Sequence, residues 1–286
     1  MQNLLKVENL KKKYANTMVL KKVNLNINKG SIIAVTGENG SGKSTLLKLI
    51  AGINTPTDGK IVNLTNSLKL GFVPDKFPED TKFNIYEYMY FLGSINGLSK
   101  KYIESKLNEL LRKFNLEEHS TKRIETFSKG MMQKINIMQG ILNNPDILVL
   151  DEPLSGLDYH AQREIKNIIK SLHKSGVSMI FTSHEKEFIE EISTRIINID
   201  KGVISFEKKI EDKDASNVKI VFFMKPSLLR DELINRSQIK SVENKNELCS
   251  IVVRYEQSDE ILKSILNNGG SVSEVIRINE GVYHFV

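Results

Sequence analysis

Apolar and polar residues alternate in two early stretches, Leu5-Lys6-Val7 and residues 23–27, as they do in half-buried strands. Residues 31–36, Ser-Ile-Ile-Ala-Val-Thr, form an unbroken apolar, β-branched run, the pattern of a strand covered on both faces. Residues 45–51 read as helix, with Gly52 as its stop. Residues 61–64 and 68–73 look like a further pair of strands. Residues 82–116 are mostly helical, because Ile103, Leu107, Leu110, Leu111 and Phe114 recur at helical spacing; Gly93, Gly97 and Ser99 mark a break between two helices. Ile147-Leu148-Val149-Leu150 predicts another buried strand, residues 160–174 an amphipathic helix stopped near Gly176, and residues 177–182 one more buried strand. Strands alternating with helices predict an α/β fold with a mixed, largely parallel sheet and a helical subdomain.

Residues 1–210 read as this one unit, and Lys201-Gly202 as a hairpin turn near its end. Residues 211–217 are polar and read as a linker. Residues 218–286 then predict a small α+β domain: strand 218–224, helix 226–235, strands 239–244 and 248–255, helix 258–267 and strand 272–278.

A chain of 286 residues can bury a sizeable core in one or two domains. No stretch approaches the ~20 apolar residues of a membrane span. The N-terminus lacks the apolar core of a secretory signal, and the single cysteine, Cys249, cannot form an internal disulfide. A soluble cytoplasmic protein is expected. The formal charge of +6 is spread along the chain, densest at Lys11-Lys12-Lys13 and Lys21-Lys22. No aromatic residues are interleaved with a dense basic run, so nucleic acid is not expected as a partner. His119, His160, His173 and His284 lack metal-ligand grouping.

The candidate chemistry lies where predicted strands end, the edge at which open parallel sheets bind ligands. Gly37-Glu38-Asn39-Gly40-Ser41-Gly42-Lys43-Ser44-Thr45 matches G-x-x-x-x-G-K-[ST], between a strand and a helix. Glycines let the backbone N–H groups converge on phosphate, Lys43 adds charge for the β- and γ-phosphates, and Ser44 offers a hydroxyl to Mg²⁺. Asp151, at the end of an apolar strand, is the second element such a loop needs for Mg²⁺. Glu152 beside it can orient or deprotonate an attacking water. The pair alone would also suit the start of a helix before Pro153.

Phe127-Ser128-Lys129-Gly130-Met131-Met132-Gln133-Lys134 resembles the signature of ATP-binding cassette (ABC) ATPases, usually Leu-Ser-Gly-Gly-Gln. Asp151-Glu152-Pro153 followed by Ser155-Gly156-Leu157-Asp158 resembles that family's second acidic motif and D-loop. Ser183-His184 resembles its switch histidine, and Tyr14 lies where the family places an aromatic that stacks on adenine. The resemblance covers residues 1–210, in family order. It implies that Glu152 is the catalytic base, that His184 contacts the γ-phosphate, and that Ser128 and Gly130 reach ATP bound to a second copy of the chain. Asp158 would couple the two sites of an ATP-dependent head-to-tail dimer. Each has a plainer competitor: Tyr14 packing by the first strands, His184 as a polar strand end, Ser128 as an ordinary helix cap.

Three departures stand out. Asp75 occupies the position of the family's Q-loop glutamine, where a carboxylate can still approach Mg²⁺ or its water. Lys129 replaces a signature glycine and Met131 the signature glutamine. The last two resemble the branch that exports drugs, antibiotics and peptides, and so does a C-terminal extension. The resemblance therefore implies an ATPase that sits on the cytoplasmic face of the membrane and powers a separate permease. Phe83, Tyr86, Tyr88, Tyr90 and Phe91 are candidates for the docking surface. The alternatives are a soluble ABC protein of translation or repair, an importer ATPase, or a cassette regulated by its tail. No Asn-Lys-x-Asp guanine motif is present, which disfavours a GTPase.

Overall fold

The structure, a computed structural model, describes residues 2–78, 81–210, 217–224, 239–245 and 248–278. They fall into two compact units, Met1–Lys209 and Ile210–Val286. In the first, strands β1 (Asn3–Tyr14), β2 (Thr17–Asn28) and β4 (Asp58–Asn63) form an antiparallel sheet in the order β2-β1-β4. A six-stranded sheet runs β5 (Leu70–Val73), β6 (Ile147–Leu150), β7 (Ser178–Thr182), β3 (Ile32–Thr36), β8 (Arg195–Asp200), β9 (Val203–Lys209). Its pairs are parallel except β8–β9. That hairpin turns through Lys201 and Gly202, both at positive φ, in agreement with the sequence.

The unbroken apolar runs follow from burial on both faces. Successive side chains in a strand point to opposite sides. Ile32, Ala34, Leu148, Leu150, Met179 and Phe181 enter one core cluster, while Ile33, Val35, Ile147, Val149 and Ile180 enter another. The second cluster also holds β1, β2 and helix α1 (Lys43–Ile50). The first is closed by α2 (Ile85–Ile95), α3 (Lys100–Phe114), α4 (Lys129–Ile141), α5 (Tyr159–Lys174) and α6 (Lys186–Ile192). The sheet is thus the middle layer of three, and the carboxyl ends of its five parallel strands share one edge.

Two expectations are corrected. Residues 61–64 and 68–73 do not pair: β4 bonds to β1 in the antiparallel sheet, whereas β5 bonds to β6 in the parallel one. Alternation reports which faces are covered and says nothing about which strand lies alongside. The helical break falls at Asn96–Ser99, so Gly93 lies inside α2, where its missing Cβ lets Ile103 of α3 pack against the helix. The cap before α2 is a full capping box between Asn84 and Glu87.

In the second unit, β10 (Asn217–Phe223), β11 (Ile239–Lys245), β12 (Leu248–Arg254) and β13 (Ser271–Ile278) form an antiparallel sheet ordered β11-β12-β10-β13. Helix α7 (Tyr255–Asn267) buries Ile261 and Ile265 against Val218, Ile220, Phe222, Cys249, Ile251 and Val253. The helix expected over 226–235 and most of the linker expected over 211–217 lie outside the described residues.

Candidate functional site

The loop from β3 to α1 is shaped by its glycines. Gly37 and Gly42 have φ of 139° and 110°, where an L side chain is strained. A Cβ on Gly42 would also come within 2.7 Å of Leu20 Cδ2. Gly42 is the N-cap of α1, with no side-chain cap and no acidic residue in the first turn. The positive end of the helix is therefore left for an external anion. Lys43 is buried, and its ammonium donates to the carbonyls of Gly37 at 2.9 Å and Glu38 at 3.0 Å. The Ser41 hydroxyl is buried in the loop without a hydrogen-bond partner.

Hydroxyls hold the acidic pair in place. Asp151 Oδ1 accepts hydrogen bonds from Ser44 Oγ at 3.0 Å and from Thr182 Oγ1 at 2.8 Å. Thr182 Oγ1 in turn accepts from the Glu152 N–H at 2.8 Å. One β7 threonine thus fixes both residues at the exit of β6. The sequence reading missed it, because nothing in the chain distinguishes this threonine from any other that ends a strand. Glu152 sits at φ 47°, a left-handed conformation uncommon for a residue with a side chain.

Glu152 Oε1 is buried and 3.4 Å from His184 Nε2, within ion-pair reach but without hydrogen-bond geometry to any group. Burial pushes the Glu152 carboxyl above its usual value; His184 and Lys43 pull it down, and Asp151 and Asp75 push it up. The Asp75 carboxyl is also raised, first by burial and then by Asp151, with Lys76 and Lys48 opposing. Asp75 therefore belongs to the same acidic neighbourhood. Among the described residues no group of three or more His, Cys, Asp or Glu is arranged to cage a metal. The Ser44–Asp151 oxygens suit a small hard cation that keeps water and substrate phosphate as its other ligands.

Asn39, Gly40, Gly42, Lys43, Ser44, Thr45, Glu152 and His184 line one open cavity of about 230 Å³. A larger cavity of about 720 Å³, bordered by Lys29, Lys106 and Asp146, touches none of them. The smaller one gathers groups suited to phosphate: the uncapped N-terminus of α1, the Lys43 ammonium, and the Glu152 carboxylate with His184 beside it.

The other expected site residues lie apart from that cavity. Ser128 is the N-cap of α4, accepting from the Met131 N–H at 3.2 Å, and Asp158 is the N-cap of α5, accepting from the Ala161 N–H at 2.8 Å. Gly130 has no room for a Cβ, which would meet Ala161 Cβ at 2.9 Å. The starts of α4 and α5 are thus adjacent. Tyr14 is 44% exposed at the end of β1. Its hydroxyl accepts from Asn54 Nδ2 at 2.8 Å, and the Lys12 ammonium lies 4.8 Å from its ring centre. Of the aromatic cluster, Phe83, Tyr86, Tyr90 and Phe91 are exposed, whereas Tyr88 is buried against Phe77 and drops out of any docking surface.

Known proteins resemble this chain in sequence and in fold. The family model described as ABC transporter matches residues 20–155. An ABC transporter ATP-binding protein of Methanocaldococcus jannaschii is 30% identical over 260 residues, 91% of this chain and 98% of that one. The lantibiotic transport ATP-binding protein SrtF of Streptococcus pyogenes is 32% identical over 74% of this chain and 93% of its own length. The spermidine/putrescine import ATP-binding protein PotA of Acetivibrio thermocellus is 30% identical over 73% of this chain and 62% of its own length. A solved dimeric structure of an ATP-binding cassette in a post-hydrolysis state, bound to ADP and Pi, superposes with a TM-score of 0.65 at 26% identity. It covers 73% of this chain and all of that one. The chain belongs to the ABC transporter ATP-binding family, whose cassettes bind and hydrolyse ATP.

Proposed function

We propose that this chain is the ATPase subunit of an exporter of drugs, antibiotics or peptides, driving a separate membrane permease through ATP-dependent closure of a two-chain dimer. The observation that carries the hydrolytic reading is Glu152, a half-buried carboxylate beside the glycine loop whose inner oxygen makes no hydrogen bond. Attack on the γ-phosphate needs a water held in place and relieved of a proton. A carboxylate whose burial has raised its proton affinity suits that task, and His184 beside it would contact the γ-phosphate. Lys43 and the N–H groups at the start of α1 would take the β- and γ-phosphates. Ser44 and Asp151 would hold Mg²⁺, which would supply charge for the phosphates, and Asp75, which feels the Asp151 charge, would add a further carboxylate to that neighbourhood.

Tyr14 would stack on the adenine. The adjoining caps at Ser128 and Asp158, with Gly130, would face the nucleotide of a second copy. The dimeric solved relative supports this two-chain reading. Among the described residues no helix is long and apolar enough to cross a membrane, and the permease would be a separate chain. Phe83, Tyr86, Tyr90, Phe91 and Ile95 are exposed together on and beside α2, and this face would receive the permease on the cytoplasmic side.

The decisive variant is Glu152→Gln. Turnover should fall by at least ~10²-fold, in line with loss of a general base. ATP affinity should persist, and ATP should shift the protein to dimer mass in size-exclusion chromatography. Normal turnover, or a protein that stays monomeric with ATP, would remove the assignment. Export is favoured by the lantibiotic relative, matched over nearly its whole length; import is the second reading, carried by the PotA relative. Inverted vesicles containing the permease separate them: ATP-driven accumulation inside means export, and ATP-driven loss means import.

A further inference from the structure

Helix α4 covers the open edge of the six-stranded sheet, and it does so with side-chain amides. Strand β5 pairs with β6 on one side only. The Val73 carbonyl turns inward and accepts the Asp151 N–H at 2.8 Å. Carbonyls of alternate residues point the other way, and when buried they need a donor. Gln139 Nε2 donates to Phe72 O at 3.2 Å, and Asn136 Nδ2 donates to Pro74 O at 2.8 Å. The amides also bond to one another. Gln139 Nε2 reaches Asn136 Oδ1 at 3.1 Å, Asn136 Nδ2 reaches Gln133 Oε1 at 3.3 Å, and Gln133 Nε2 ends the column on Pro153 O at 3.0 Å.

The column demands close docking. A Cβ on Gly71 of β5 would collide with the Gly140 carbonyl oxygen of α4. Asn136 is fully buried within a helix, where an amide is costly unless both its ends are bonded. Here they are. The two carbonyls at the upper end of the column belong to the residue before Asp75 and the residue after Glu152. The helix that carries the column begins at Ser128.

We propose that Asn136, with Gln133 and Gln139, is a positioning residue for ATP hydrolysis. The amide column holds the Ser128 end of α4 in fixed register with the backbone that carries Asp75 and Glu152. This rests on the function proposed above. In the two-chain dimer Ser128 meets the partner's nucleotide, while Asp75 and Glu152 flank the chain's own. The column therefore joins one site to the other through a single helix. Removing its central donor loosens that register without touching the phosphate-binding loop.

The test compares full-length wild type with Asn136→Leu, Gln139→Met and Ile135→Val. ATPase rate is followed against ATP concentration, and ATP affinity is measured separately by equilibrium dialysis. Asn136→Leu keeps the branched shape of the side chain and deletes both its donor and its acceptor. It should lower kcat about tenfold or more while leaving ATP affinity within about twofold. The Hill coefficient should fall from near ~2 towards ~1. Gln139→Met, at a half-buried position, should move the same quantities the same way, and carries the test if Asn136→Leu does not fold. Ile135→Val trims a buried side chain outside the column and should leave kcat and the Hill coefficient unchanged. The proposal is overturned if the folded amide variants keep wild-type kcat and cooperativity, or if Ile135→Val loses as much as they do. A wild type that binds ATP without hydrolysing it would overturn the proposed function instead.

Discussion

Glu152 combines a left-handed backbone with a half-buried carboxylate whose inner oxygen makes no hydrogen bond. Backbone strain of this kind costs on the order of 1–3 kcal/mol, and burial adds a penalty for the charged form. The direction of the pH effect follows. Burial raises the Glu152 carboxyl above its ordinary value of 4.5, so the folded protein holds this proton more tightly than the unfolded chain. Between the ordinary and raised values the folded state binds more protons, and stability falls as pH rises. Above that window the folded carboxylate is a net burden; below pH 4.5 it is protonated in both states. Glu152→Gln should therefore raise the melting temperature of the metal-free, nucleotide-free protein at neutral pH, with the gain fading towards pH 4.5. A variant less stable than wild type at neutral pH would show that the His184 and Lys43 attraction outweighs burial. The acidic pair was legible from the sequence because its residue types and the apolar run before it leave few readings. The Thr182 hydroxyl that fixes both groups was not, because a threonine ending a strand looks the same whether it faces solvent or a carboxylate 31 positions away in the chain.

Contacts between elements were harder to read than the elements themselves. Periodicity located α3 and α5 closely, since their buried positions recur on one face. It could not say that β5 leaves β4 for β6, because pairing depends on where the chain goes after the strand ends. Nor did it mark α4 as the cover of a sheet edge. Gln133, Asn136 and Gln139 stand three apart on a helix whose other central positions are buried, and that spacing was the available signal. The tightest point of this docking is Gly71 against Gly140. Gly71→Ala should push α4 off β5, at a cost of about 3 kcal/mol or more, at the upper end for overpacking. A fall in the urea midpoint of the cassette transition at unchanged slope would report it. An unaltered midpoint would mean that β5 and α4 separate with little loss.

At the scale of the whole molecule, the two compact units have separate cores. Val218, Ile220, Phe222, Cys249, Ile251, Val253, Ile261 and Ile265 pack among themselves, and every group placed in the nucleotide site lies within Met1–Lys209. A unit with its own core can fold alone. A chain ending at Lys209 should therefore unfold cooperatively, bind ATP and hydrolyse it within about threefold of the full-length rate. Circular dichroism melts and steady-state ATPase assays measure both. If the shortened chain folds but turns over much more slowly, the tail contributes to the dimer or to the site, and regulation through the second unit gains ground. If it fails to fold, the two cores are not independent. The Methanocaldococcus jannaschii relative, matched over 91% of this chain, makes the same truncation worth repeating there. A tail that can be removed from both proteins without loss of ATPase activity would leave hydrolysis to the cassette, Met1–Lys209, alone.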